Sequence, residues 1–451
     1  MRRICVSAGL VALGAAAAHA QYAPNLGSME TSKPWSLSGT IRGFYDDNYL
    51  TLPKTYLVYE NGAPTYLHSR DSYGVELSPA ISYNKSVEDT LLSASYVYDL
   101  HWYEDRDGTT DQTHMFNAKM DHAFSERYKL TLNESFVISQ DPGVLNPTPA
   151  GYATSLRVPG SNIRNTAMAD FTAQLTKLFD LHFGYANSVY AYQQNGGDET
   201  ASEQASHQAS YSALLDRMDQ SWTVDLRWKA LPETTGVLGY QFENLGYTSP
   251  EYIIYPGTIT VNGVPVATPG YRSNSRDSDT SFVYIGADQS FSPNLNGSIR
   301  GGGEYIDYYN NHSHTIEPYI DASLTYQYMP QSTAQFGIKE MHNATDVAGT
   351  VGTTPVLDEQ STSVYLSVSH RVTSRFTAAA LAQAQYSTFN GGGPTYNGKE
   401  ENFYMLNLNL TYHFTPWLAG QTGYSYNKLN TELIDRAYTR NIVYVGVLAT
   451  Y

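Results

Sequence analysis

Glu401-Asn402-Phe403-Tyr404-Met405-Leu406-Asn407-Leu408-Asn409-Leu410-Thr411-Tyr412-His413-Phe414 runs into Thr415-Pro416 and restarts as Trp417-Leu418-Ala419-Gly420-Gln421-Thr422-Gly423-Tyr424. On its first arm Tyr404, Leu406, Leu408, Leu410, Tyr412 and Phe414 alternate with Met405, Asn407, Asn409, Thr411 and His413. A strand sends successive side chains to opposite faces, so this arm has one apolar face with aromatic ends and one mostly polar face. The three-and-four spacing of an amphipathic helix is absent. Such a strand either covers a soluble core or stands between lipid and water, and the rest of the chain decides which.

The pattern repeats from Trp35 onward. Its mark is a short turn in which an aromatic or Val is followed by Ser or Thr and a fresh apolar start. Clear copies are Phe124-Ser125-Glu126-Arg127-Tyr128, Phe291-Ser292-Pro293-Asn294-Leu295, Val372-Thr373-Ser374-Arg375-Phe376 and Phe414-Thr415-Pro416-Trp417-Leu418. Divergent copies sit near Asn84–Asp89, Thr176–Asp180, Lys229–Thr234 and Met329–Ser332. These eight turns, with a strand before the first and one after the last, predict an all-β chain of about 18 strands. The opposite ends carry longer connections, among them Asn48–Asp71, Glu104–Gln112, Asp141–Asn162, Asn195–His207, Tyr247–Asp279, Asp307–His314 and His342–Gln360. Short turns at one end and long loops at the other give a transmembrane antiparallel up-and-down β-barrel; soluble propellers of similar repeat length lack that asymmetry.

Aromatics fall where such a barrel needs them. Trp35, Tyr83, Phe124, Phe291, Tyr328, Phe414 and Tyr451 mark the short-turn end, and Tyr45, Trp102, Tyr185 and Tyr305 the long-loop end. Strands are rich in Tyr in any case, which explains the number of these residues and not their position. Glu134 breaks the pattern by falling among Leu130, Leu132, Phe136 and Ile138, and a β-bulge turning it inward is the expectation.

Before the barrel, Arg2 and Arg3, an apolar run from Ile4 to Ala18 and the small residues around Ala20 read as a signal peptide over residues 1–20. Residues 21–34 are a short periplasmic leader, and 35–451 the barrel. Cys5 is the chain's one cysteine and leaves with the signal, which excludes disulfides and thiol chemistry. Removing Arg2 and Arg3 from 27 basic residues leaves 25 against 43 acidic ones, a formal charge of −18, which argues against nucleic acid as a partner.

The chain closes on Val443, Val445, Val447, Ala449 and Tyr451 along one face. Val445, Val447, Ala449 and the final Tyr451 resemble the signal by which the barrel-assembly machinery recognises its clients. Together with the stretch from Trp35 to Tyr49 and the turn His122–Tyr128, this strand makes the chain resemble the β-barrel porins of the Gram-negative outer membrane. The resemblance spans the mature chain. It implies a water-filled pore for passive diffusion of small hydrophilic solutes, with lipid and the assembly machinery as partners and homo-oligomerisation left open. Passage of an exported polysaccharide, or an adhesive barrel closed by its loops, are the alternatives.

No nucleophile elbow, phosphate loop, zinc motif or cysteine pair is present, so neither enzymatic activity nor a cofactor is expected. His312-Ser313-His314 would place two imidazoles on one strand face, at a solvated loop end rather than a metal site. The alternation turns a set of charges inward as candidate pore-lining residues: Arg42, Lys119, Asp170, Arg217, Asp219, Asp225, Arg227, Arg300, Glu304, Glu317, Asp321 and Arg371. Arg217, Asp219, Asp225 and Arg227 are expected to pair across the lumen. The loop Tyr247–Asp279 carries its own apolar cluster, Tyr252 to Tyr255, and is expected to pack into or across the lumen, ahead of Asp141–Asn162.

Overall fold

The computed structural model describes residues 34–60, 63–106, 110–140, 161–193, 209–434 and 436–451. Residues 1–33, which carry the expected signal peptide and nearly all of the expected leader, and the loops 141–160 and 194–208 lie outside the described residues. Eighteen antiparallel strands form one sheet that closes on itself. They are β1 (Trp35–Asp46), β2 (Ser72–Val87), β3 (Thr90–Tyr103), β4 (Thr110–Ala123), β5 (Tyr128–Ser139), β6 (Asn162–Gln174), β7 (Phe179–Tyr192), β8 (Arg217–Leu231) and β9 (Thr234–Tyr247). The second half comprises β10 (Ser278–Ser292), β11 (Leu295–Tyr308), β12 (Ser313–Met329), β13 (Ser332–Asn343), β14 (Val356–Arg371), β15 (Phe376–Gly391), β16 (Glu400–Thr415), β17 (Leu418–Thr431) and β18 (Tyr438–Thr450). Each strand pairs with its neighbours in sequence, and β1 pairs with both β2 and β18. Closure leaves no sheet edge, which is what lets strands cross a bilayer with every backbone group paired.

Burial alternates along the strands in the sense that identifies the two faces. On β2 Ser72, Gly74, Glu76 and Ser78 are buried while Tyr73, Val75, Leu77 and Ile81 are exposed. In a water-soluble protein that order would be reversed; here the polar side chains face the interior and the apolar ones face outward. All eight short turns expected from the sequence join consecutive strands at one end. At the other end one expectation is corrected. The connection read as Asp307–His314 shrinks to residues 309–312, because β11 and β12 continue through its polar residues. His312 consequently lies in the turn with φ +50°, so His312 and His314 do not share a strand face.

Glu134 is the second correction. β5 pairs without interruption on both sides, Ala118 with Glu134 and Glu134 with Ala167, so no bulge turns it inward. It shares the outward face with Leu132 and Phe136, as plain alternation dictates. It belongs to a row of directly paired outward residues that begins at Trp35 and Tyr83 and passes through Ala94 and Ala118. Beyond Glu134 the row continues through Ala167, Asn187, Gln220 and Asn244 to Asp279.

Candidate functional site: the inner wall and mouth of the barrel

Alternation from the outward residues places all twelve candidate charges on the inner face, and the structure shows how they are held. Arg42 Nη1 lies 2.7 Å from Glu76 Oε1, and its Nη2 donates to Gln421 at 2.9 Å; Arg42 and Glu76 are both buried. Arg440 meets Asp46 at 2.6 Å, and Arg300 meets Asp288 at 2.8 Å. Arg217 pairs with Asp219 at 3.2 Å and Arg227 with Asp225 at 3.4 Å. These last two pairs join residues two apart on β8, along the wall rather than across the lumen, because same-face neighbours on one strand are closer than opposite walls. Lys119 and Asp121 repeat that arrangement on β4, at 3.0 Å. Asp170 faces His182 Nε2 at 3.1 Å, and His182 Nδ1 faces Asp225 at 3.4 Å.

Four of the twelve stand apart from these pairs. Glu317 accepts from Thr315 Oγ1 at 2.9 Å. Asp321 is the cross-strand neighbour of Arg300 and Lys339. Arg371 donates to Gln331 Oε1 and to the carbonyls of Thr373 and Ser374, and so holds the periplasmic turn after β14. Glu304 is almost wholly buried under His342, whose backbone N–H and Nδ1 meet its two carboxylate oxygens at 3.1 and 2.8 Å. That contact exists because β13 stops pairing with β12 above Glu340 and His342 turns inward. Alternation alone would place His342 outside.

Several inner rings lie flat across glycines on the next strand. Tyr284 faces Gly239 directly, and a Cβ there would fall 2.1 Å from its ring. Phe44 lies over Gly74 and Tyr444 over Gly423 in the same way. With the glycine cleared, the phenol reaches one strand further. Tyr284 Oη donates to Asp225 Oδ1 at 2.6 Å, and Tyr444 Oη accepts from Asn409 Nδ2 at 2.6 Å. The rings thus cover the wall instead of projecting toward the barrel axis.

The extracellular mouth is packed by segments of three loops. A short helix, α1 (Tyr211–Leu215), is capped by Ser210 Oγ, which accepts from Ala213 N at 3.0 Å. It buries Ala213, Leu214 and Leu215 against Ile253 and Ile254 of the loop after β9 and Tyr192 of the inner wall. Of the cluster Tyr252–Tyr255, Ile253 and Ile254 are therefore buried. The same loop carries a hairpin turning at Asn262-Gly263 with both residues at positive φ, and this tip is exposed. The loop's other anchor is Arg276, fully buried. Its guanidinium lies 4.2 Å from the Tyr247 ring centroid and donates to the carbonyls of Thr345, at 2.9 Å, and Leu214. Burial pushes its pKa down despite those partners. Next to it the Asp277 carboxyl is pushed up to about 6 by burial, against a bond from Tyr247 N–H at 2.7 Å and the Arg276 charge. Arg436 holds the neighbouring loops with a bidentate pair to Asp346, both bonds 3.0 Å, and a second pair to Glu401 at 3.2 Å. Burial opposes the Arg436 charge, yet these two carboxylates hold its pKa above the usual arginine range.

A sequence reading had no route to Arg276, His342 or Arg436. Their hydrogen-bonding partners lie 35 to 90 residues away, on strands and loops that only the folded chain brings together, so no local pattern encodes them.

Residues 265–451 match the family model described as putative beta-barrel porin 2. No curated protein matches the sequence. Among solved structures, OpdK of Pseudomonas aeruginosa with vanillate gives a TM-score of 0.43 at 8% identity, covering 92% of this chain and 99% of that one. OccK5 (OpdH) of the same organism gives 0.40 at 11% identity, over 92% and 98%. The siderophore receptor PirA of Pseudomonas aeruginosa gives 0.41 at 9%, over 93% and 80%. The porin match over residues 265–451, with an apolar outside and a charged inside, makes this a barrel of the Gram-negative outer membrane.

Proposed function

We propose that the barrel is a water-filled pore through which small hydrophilic solutes diffuse, narrowed at its extracellular mouth by the loop after β9. The observation that carries this is the inverted burial pattern: charged and amide side chains line the inside of a closed sheet, and bulky apolar ones cover the outside. Paired charges toward the periplasmic end are more open, with Lys119 and Asp121 side chains 32% and 35% exposed. Pairs near the mouth, such as Arg440 and Asp46, are 5% and 1% exposed. A wide vestibule leading to a tight mouth suits solutes of limited size, which such pores sort by the radius and field of the constriction.

An exported acidic polymer would call for a continuous electropositive track. Arg42, Arg217, Arg227, Arg300 and Arg440 each have a carboxylate within 3.4 Å instead, so the signs alternate. The packed mouth does favour one rival reading, a structural barrel closed by its loops. Planar-bilayer recording of the purified protein separates the two. The pore reading expects discrete channels, and larger ones when Tyr252–Pro269 is excised from a barrel that remains heat-modifiable. Silence from both proteins removes the pore; equal conductance removes the loop as its constriction. This reading gives the barrel no catalytic role.

A further inference from the structure

The outer wall of β5–β8 is unlike the rest of the barrel. Glu134 is three strands along the inclined row that starts at Tyr83. With strands ~4.8 Å apart and tilted by ~40°, it stands about 9 Å above that girdle in an apolar band of about 25 Å. Glu134 thus lies inside the hydrocarbon, where an ionisable side chain is costly and marks a functional surface. It is not alone. Asn165 Nδ2 donates to its carboxylate, and Asn187 and Gln220 are directly paired further along the slope. Gln220 in turn donates to Tyr185 Oη at 3.2 Å. Both cross-strand neighbours of Glu134 are alanines, Ala118 and Ala167, so the carboxylate stands in a shallow, flat depression. On the opposite wall the corresponding strand, β16, presents Leu406, Leu408 and Leu410 without interruption.

We propose that this face is where a second copy of the chain docks. Lipid is a poor occupant, because acyl chains offer nothing to a carboxylate and three carboxamides. Anionic headgroups fit no better: among the described residues no lysine or arginine faces outward on β5–β8. The face is complementary to itself. It combines a carboxylate, which only accepts, with amides that donate, so two copies satisfy each other without a new residue type. The flanking alanines let the two walls approach closely, as small residues do between membrane segments.

The test uses the full chain in outer membranes and the absence of cysteine from the mature protein. Ala167→Cys and Asn187→Cys, singly and mixed, are treated with a bis-maleimide reagent beside Leu408→Cys on the far wall. Docking expects covalent dimers from the first two and monomers from the third. It also expects Glu134→Leu, combined with Ala167→Cys, to lower the dimer yield at least several-fold while the barrel stays heat-modifiable. Monomers throughout would overturn the proposal, as would equal cross-linking from Leu408→Cys. Undiminished dimers in the Glu134→Leu background would remove the polar patch as their cause.

Discussion

Glu134 shows what a single side chain discloses and where the reasoning about it fails. Alternation put it on the outer face, and the solvation cost of a carboxylate argued for a bulge; the period was right and the bulge was absent. A strand two neighbours have fixed in register cannot turn one residue over without shifting every residue after it. Asp277 is the opposite case, silent in the sequence because its state depends on the depth at which a loop packs. Its carboxyl is raised to about 6 by burial, with Arg276, Tyr309 and Asp279 as the charged or titratable groups around it. A raised carboxyl contributes stability that is complete below the ordinary value near ~4 and is lost as pH rises through the folded one. The loop is therefore held most firmly in acid. Single-channel conductance should rise between pH 5 and pH 7, and Asp277→Asn should flatten the profile. An unchanged pH profile in that variant would mean another group controls the loop.

Strands and turns were legible because each is a local pattern: period-two alternation, an aromatic, a Ser or Thr, a restart. Loops were legible only in part. The apolar cluster Tyr252–Tyr255 signalled something to bury, and Ile253 and Ile254 are buried; their acceptors, α1 and Tyr192, are set by chain folding that no window of sequence contains. The wall itself makes a sharp prediction. Leu408 is 41% exposed on the outer face, and its neighbour Asn409 points inward to Tyr444. Leu408→Arg should destabilise by ~2–4 kcal/mol at mid-bilayer, and Asn409→Arg by clearly less. Refolding titrations into vesicles would measure both, and equal penalties would contradict the assignment of faces.

The molecule is completed at one seam. Tyr451 N donates to Leu37 O at 2.7 Å, Leu37 N donates to Tyr451 O at 3.0 Å, and the Tyr451 ring sits 5.7 Å from that of Trp35. The last residue thus fastens the last strand to the first, and its deletion should lower the amount of protein in the outer membrane and leave periplasmic fragments. Normal levels of heat-modifiable barrel would show that β1 and β18 close without it. The rings set on glycines give this seam a further property. Phe44 of β1 and Tyr444 of β18 face each other across it, yet each leans away, Phe44 onto Gly74 of β2 and Tyr444 onto Gly423 of β17. Each ring is docked within its own hairpin, and neither crosses the join. The first and last strands meet with these two rings already folded back, and the join is crossed by flexible polar side chains instead, Arg42 to Gln421 and Arg440 to Asp46, so it can be drawn shut, or parted, without threading one ring past another.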